Sequence, residues 1–425
     1  MKRAETIKKV LTEFNRENIR YCALRNYEFL LNPKEEPGFD FDVSIAAEDH
    51  EQAERIFLKY GFIKKPPQFS QKHQGYAAFS QEELRKIGFD VQWDGVAWND
   101  RYYLERAIYD RCKKGGGFFV LSDEDEFIMY LCHSLLGKRF FKPEYRLKLQ
   151  QLAAKELDFA FIAKHLSAVF RGERIGQRLV ALVKEGRFDD LLTMKQQLLW
   201  RFVVPQHLMP FIRLFFRWFK EKGRARKLPL IAFIGPDGAG KSTTTAALVR
   251  ILRENRRSVE QAYLGRGKGH MLPIDKPGKV VYKRIRRLQP SPVVRLVYTL
   301  ASFIYAADLL LRYSFVVRRR RKRAIVITDR YATDIYLMRN VSESLRLFLF
   351  SLFPRPTLTF YLYHEPQRLY ARKRQQSIEE LRWQLALYDK VAARLGAVRI
   401  KTENKKRVVQ EAATETFELL ARSGE

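Results

Sequence analysis

Hydrophobic and polar positions change rhythm several times along the 425 residues. Ile19 to Tyr27 and Gly38 to Ala46 read as strands, the second with clear period-two alternation. The stretch Glu48 to Gly61 has helical spacing and predicts a helix ended by Gly61. Lys86 to Gly95 alternates again, and the glycine-rich segment Lys113 to Phe118 follows. From about Leu121 to Trp200 the spacing is helical, as in Phe127, Tyr130, Leu131 and Leu135.

A basic amphipathic stretch, Pro210 to Lys227, then runs into Pro229, which marks the best domain boundary. After it come strand, loop and helix in α/β order, with no internal repeat. The pattern predicts a domain over 1–115, a helical extension over 116–204, a basic linker over 205–228 and a second domain over 229–425. The apolar run Leu296 to Ala307, closed by Arg295 and Asp308, is expected to be too short to span a bilayer. The opening residues, Met1 to Asn18, read as a charged amphipathic helix rather than a signal peptide.

Composition adds one strong fact. Hydrophobic residues make up 46% and aromatics 13%, so cores can form. Lys and Arg total 79 against 48 Asp and Glu, a net charge of +31. Such an excess favours anionic partners (nucleotides, nucleic acid or an anionic membrane surface) and says nothing about fold. Cys22, Cys112 and Cys132 are scattered, so neither a disulfide framework nor a zinc site follows, and a reducing, cytoplasmic setting is expected.

Gly235-Pro236-Asp237-Gly238-Ala239-Gly240-Lys241-Ser242, followed by Thr243, fits GxxxxGK[ST]. An apolar strand, Leu230 to Ile234, precedes it, and a helix rich in Thr, Ala and Leu follows. Glycines let successive backbone N–H groups converge on phosphate oxygens, and the helix N-terminus adds partial positive charge. Lys241 is expected on the β/γ-phosphates of ATP and the Ser242 hydroxyl on Mg²⁺. Further on, the β-branched strand Ala324 to Thr328 ends in Asp329-Arg330-Tyr331. An acid at that strand end can support Mg²⁺, and the adjacent arginine can clamp a second phosphate. Thr357 to Pro366 is another buried-strand candidate. It leads into a single predicted helix whose start carries Arg368, Arg372, Lys373 and Arg374. This basic cluster is either a solvated face or a cap over the transferring phosphoryl group, and its place after a strand favours the cap.

These segments together resemble the thymidylate kinase-like branch of the nucleoside monophosphate kinases. The resemblance covers residues 229–421 and rests on "GPDGAGKSTT", "YAADLLLRY", "RAIVITDRY" and "PRPTLTFYLYHEPQRLYARKR". It implies a parallel five-stranded sheet flanked by helices, with Lys241 and Ser242 serving ATP and Mg²⁺. Asp237 matches the family's acceptor-side carboxylate, Asp329 and Arg330 its DR pair, and Arg372 and Arg374 its lid. The chain departs from thymidylate kinases in three places. The Arg-Glu-Pro-Gly-Gly-Thr segment is replaced by "AYLGRGKGHMLPIDKPGK", where Arg266 is the counterpart of its arginine. The strand before the lid ends Leu362-Tyr363 instead of Leu-Asp, and Asp334 follows the DR pair where a serine-containing stretch is usual. The DRYxxD form is similar to kinase-like proteins of bacterial surface-polysaccharide gene clusters. The expected acceptor is therefore a nucleoside monophosphate or a related phosphorylated small molecule.

Near the N-terminus, Asp40 and Asp42 stand two apart on a strand and so share a face, and Asp90 lies on a later strand. Such a trio can hold two divalent metals for attack on an α-phosphate, or it can be a set of solvated strand aspartates. With "YCALRNY" it resembles the minimal nucleotidyltransferase fold, although Arg25-Asn26 stand where that family has Gly-Ser. That resemblance implies an α+β domain with a helical companion. A nucleotidyltransferase with a regulatory P-loop domain is accordingly the first alternative to a kinase. His133, among apolar residues, reads as a hydrogen-bonded core histidine.

The basic runs Arg318 to Arg323 and Lys283 to Arg287, with the Phe211, Phe215 and Phe219 face of the linker, allow a third reading. In it, an ATP-binding protein docks on membrane or nucleic acid. Packing of the aromatic face between domains is the simpler account of the linker, and no nucleic-acid-recognition signature accompanies the charge. Nothing in the pattern fixes an oligomeric state, and a dimer is compatible with it.

Overall fold

A computed structural model describes residues 2–32, 35, 38–66, 70, 72–98, 100–138, 140–203, 227–265, 271–272, 292–338 and 340–424. The predicted linker, except residues 227–228, lies outside these residues, as do Arg266 and the basic run Lys283 to Arg287. The chain forms two compact units: Met1–Gly223 with Leu420–Glu425, and Arg224–Leu419.

In the first unit a seven-stranded mixed sheet is built from β1 (Tyr21–Arg25), β2 (Asp40–Ile45), β3 (Ile63–Lys64), β4 (His73–Ser80), β5 (Arg85–Trp93), β8 (Lys113–Gly115) and β9 (Phe118–Val120). Its order is β3-β4-β5-β2-β1-β9-β8, and β6 (Gly95–Trp98) pairs separately with β7 (Arg101–Glu105). Strand alternation decides what each face meets. Tyr21, Ala23, Phe41, Val43 and Ile45 pack with α1 (Arg3–Arg16) and α2 (His50–Lys59). Cys22 and Leu24 point the other way, into a core shared with α3 (Asp123–Cys132), α4 (Pro143–Ala153), α5 (Phe159–Phe170), α6 (Ile175–Lys184) and α7 (Lys195–Val203). Asp40 and Asp42 alternate with Phe41 and Val43, so they lie on this second face. Ser122 starts α3 by accepting the Asp125 N–H at 3.1 Å.

The second unit is a five-stranded parallel sheet of β10 (Leu230–Ile234), β11 (Val259–Tyr263), β12 (Ile325–Asp329), β13 (Leu358–Tyr363) and β14 (Val398–Lys401). Its order is β11-β12-β10-β13-β14. β10 and β12 are buried along their whole length, as strands covered on both faces must be. The helices are α8 (Lys241–Glu254), α9 (Pro292–Arg312), α10 (Glu343–Ser351), α11 (Pro366–Arg372), α12 (Ile378–Leu395) and α13 (Lys405–Ser423). Because β10 sits between β12 and β13, the chain reverses direction of winding there. The crevice above those strand ends is where a doubly wound sheet binds ligand.

Two sequence expectations change. The single helix predicted after β13 is two: the backbone turns extended at Lys373, ending α11 at Arg372, and Ser377 starts α12 by accepting the Glu380 N–H at 3.1 Å. The apolar run at 296–307 is part of a longer helical stretch, Pro292–Arg320. By length and composition it is long enough to cross a membrane. Asp308, read from the sequence as its end, is buried on its inner face and ion-paired to the buried Arg312 at 3.0 Å.

Candidate active site

The loop between β10 and α8 is shaped by glycines in conformations that side chains resist. Gly235, Gly238 and Gly240 have φ of 138°, 85° and 87°. A Cβ at Gly235 would lie 2.1 Å from the Leu362 carbonyl oxygen of β13. Lys241, the first residue of α8, is buried and donates to the Pro236 carbonyl at 2.8 Å, with Asp237 Oδ1 3.8 Å away. Burial pulls its pKa down to about 8 and Arg330 adds to the effect, against the opposing pull of Asp237, Asp329 and Asp334.

Parallel register sets Asp329 beside Phe233, at the same sheet level as the loop's start. Ser242 Oγ donates to Asp329 Oδ2, while the buried Asp329 Oδ1 has no hydrogen-bond partner. An orphaned carboxylate oxygen beside a serine hydroxyl is what a divalent cation completes. Arg330 follows with a left-handed backbone, φ 72°, and its N–H bonds the Phe233 carbonyl at 3.0 Å. That conformation costs a non-glycine residue on the order of 1–2 kcal/mol, so the surroundings must enforce it. The guanidinium lies between two carboxylates. It donates to Asp237 Oδ1 and, at 3.3 Å, to Asp334 Oδ1. Burial alone would raise the Asp237 pKa, yet Arg330, Lys241 and Lys373 together hold it below the ordinary value. A Cβ at Gly265 would lie 2.3 Å from Arg330 Cδ, so that glycine gives the arginine its path.

The lid residues divide. Arg372 donates to Thr402 Oγ1 at 3.1 Å and to its carbonyl at 2.6 Å, so it braces the end of β14 rather than facing the loop. Arg374 is exposed in the turn between α11 and α12. Lys373 takes the near position, its Cβ 3.5 Å from where a Cβ on Gly238 would be. Three features escaped the sequence reading. Asp334 is a partner of Arg330, and the i, i+4 spacing was the available signal. Asp308 accepts the Met271 and Leu272 N–H groups at 2.7 and 3.0 Å. Its partner Arg312 donates to the Gly265 carbonyl at 3.1 Å, so one buried pair holds Gly265 as well as Met271 and Leu272.

The N-terminal carboxylates are gathered but not open. Asp42 lies opposite Asp90 on β2 and β5. Each of the three acids already holds a cation or donor. Asp40 takes Lys86 at 2.6 Å, Asp90 takes His73, and Asp42 takes a bidentate Arg25 at 2.9 and 3.0 Å, with Asn26. Among the described residues no three His, Cys, Asp or Glu side chains are grouped to hold a metal ion. Burial raises the Asp42 pKa, and Asp90 and Asp40 add to the rise against Arg25. Arg25 also donates to His133 Nε2 and, at 3.2 Å, to Tyr145 Oη. Burial and that neighbouring charge keep His133 neutral, with its pKa pulled down to about 2. Asp42→Asn takes away the carboxylate that meets the buried Arg25 guanidinium through two hydrogen bonds. We expect a loss of roughly 1–3 kcal/mol in the urea unfolding free energy of this unit. A change below a few tenths would mean Arg25 is satisfied without Asp42.

Residues 233–422 match the family model described as thymidylate kinase. That segment is a thymidylate kinase-like kinase domain. A crystal structure of thymidylate kinase from Ehrlichia chaffeensis is 16% identical, covering 45% of this chain and 98% of that one, with a TM-score of 0.33. No curated protein matches.

Proposed function

We propose that residues 229–425 are an ATP- and Mg²⁺-dependent phosphotransferase acting on a nucleoside monophosphate or related phosphorylated small molecule. The observation that carries this reading is the set Lys241, Ser242, Asp329, Arg330 and Asp237 assembled at the ends of two adjacent parallel strands. The residues fit Mg·ATP: the glycine cradle leaves no room for a Cβ at 235, and Asp329 Oδ1 lacks a partner. Ser242 and Asp329 would hold the metal, which supplies charge neutralisation at the β/γ-phosphates. Lys241 exchanges its Pro236 carbonyl for phosphate oxygens. Arg330, aimed by Asp237 and Asp334, positions the acceptor phosphate. Lys373 and Arg374 close over the transferring group, with Arg372 fixing the base of the lid. Catalysis here is positioning and electrostatics throughout.

The test is ³¹P NMR of the protein with Mg·ATP and a pool of nucleoside monophosphates and sugar phosphates. ADP growing together with one new phosphoryl signal supports the kinase. Pyrophosphate that survives Lys241→Ala and disappears in Asp42→Asn would move the chemistry to the N-terminal acids and overturn it.

Lys241 also fixes a pH dependence. Its pKa of about 8 in the free site rises when phosphates bind, so nucleotide binding takes up a proton above neutrality. Affinity is at its full value well below pH 8, where the ammonium is already charged. It falls by up to about tenfold per unit as pH rises above 8. Calorimetry in buffers of different ionisation enthalpy at pH 8.5 should read that uptake, and an affinity flat from pH 7 to 9.5 would contradict it.

A further inference from the structure

Helix α9 presents apolar side chains in two directions. Tyr305, Ala306 and Leu309 on its inner face join Leu230, Ala232 and Ile234 in the core of the kinase unit. On the outer face Val293, Leu296, Leu300, Phe303 and Ile304 are between 46% and 70% exposed. Positions 293, 296, 300 and 304 recur at helical spacing and form one stripe, and no charged residue occurs from Leu296 to Ala307. A continuous apolar stripe of this length is uncommon on the free surface of a monomer.

The stripe leads to a cluster of charge. Helical structure continues past Phe315, itself exposed, to Arg318–Arg320. Arg320 is engaged by Glu260 at 2.9 Å, and Arg321 donates to the Leu228 carbonyl at 2.7 Å. Arg318, Arg319, Lys322 and Arg323 are exposed and make no ion pair among the described residues.

We propose that the outer face of α9 docks on an anionic lipid bilayer. The apolar stripe enters the boundary between headgroups and acyl chains, and Arg318, Arg319, Lys322 and Arg323 engage lipid phosphates beside it. The helix lies on the membrane and does not cross it. Its inner face is core, where the Asp308–Arg312 pair is buried. A bilayer suits the surface better than a second copy of the chain. Another copy would bring the same stripe, which carries no acidic residue from Val293 to Ala307, and a second charge of +31.

Flotation of the full chain with phosphatidylcholine vesicles, with and without phosphatidylglycerol, is the test. Binding is expected only with the anionic lipid and should weaken as salt rises. Leu300→Glu with Phe303→Glu should reduce apparent affinity roughly tenfold or more, with the thermal midpoint retained. Arg318→Gln, Arg319→Gln, Lys322→Gln and Arg323→Gln together should reduce it roughly a hundredfold or more, and this variant decides the matter if the first fails to fold. Three outcomes overturn the proposal. One is vesicle binding untouched by either variant. The second is a dimer that the Leu300/Phe303 variant dissociates in sedimentation while vesicle binding persists. The third is binding lost only on Phe215→Glu with Phe216→Glu in the linker.

Discussion

Replacing Lys241 with alanine is expected to slow phosphoryl transfer by on the order of 10²-fold or more without destabilising the protein. The expected rate loss comes from where the ammonium sits. It is buried at the first residue of α8, held by the Pro236 carbonyl at 2.8 Å, in surroundings where its charge is weakly screened. Arg330 cannot replace it, because its guanidinium is already held between Asp237 and Asp334. The absence of a stability loss follows from the sign of the pKa shift. Burial lowers the folded-state value to about 8, below the ordinary 10.5. Stability from such a depressed group is present above the unfolded value and is lost as pH falls through the folded one. At neutral pH the charged lysine is therefore a cost to the free protein. Initial rates of ADP formation at saturating acceptor, with a thermal scan of the same sample, read both quantities. A rate within threefold of the parent, or a large fall in midpoint with the rate loss, would remove Lys241 from its assigned role.

What the sequence revealed follows from how local each signal is. The phosphate loop and the strand Leu230–Ile234 were readable because glycine spacing, a buried apolar run and a helix start all fall within about twenty residues. Asp329 was readable as a metal support from its place at a strand end, but its hydrogen bond with Ser242 joins residues 87 apart and needed the folded sheet to be seen. Cation partners were less visible. Lys86, His73 and Arg25 each neutralise one of the N-terminal acids, and only the three-dimensional pairing of β1, β2, β4 and β5 shows which meets which. Two misreadings had local remedies. Ser377 three residues before Glu380 is the sequence signature of a helix start, and it was there to divide the supposed long helix. Asp308 and Arg312 are four apart, which should have marked Asp308 as one partner of a pair within a continuing helix rather than as its polar end.

Gly235→Ala tests whether the cradle depends on backbone shape as much as on Lys241. The substitution should cost the kinase unit roughly 3–5 kcal/mol and weaken nucleotide binding at least on the order of 10²-fold. Two independent penalties add. At φ 138° an alanine is forced into a backbone region that L-residues avoid. Its Cβ would also stand 2.1 Å from the Leu362 carbonyl oxygen, which is part of β13 and cannot swing aside as a side chain could. Relief has to come from moving the loop or prising β10 from β13. Either movement misdirects the N–H groups that converge on phosphate and shifts Lys241 at the start of α8. Gly240→Ala is the informative control, because φ is 87° there but nothing lies within 4 Å of a Cβ. It carries the conformational penalty of about 1–2 kcal/mol alone. Thermal midpoints and nucleotide affinities of the two variants should therefore separate. Equal losses would mean that contact with β13 contributes nothing, and that the loop's shape rests on torsional preference alone.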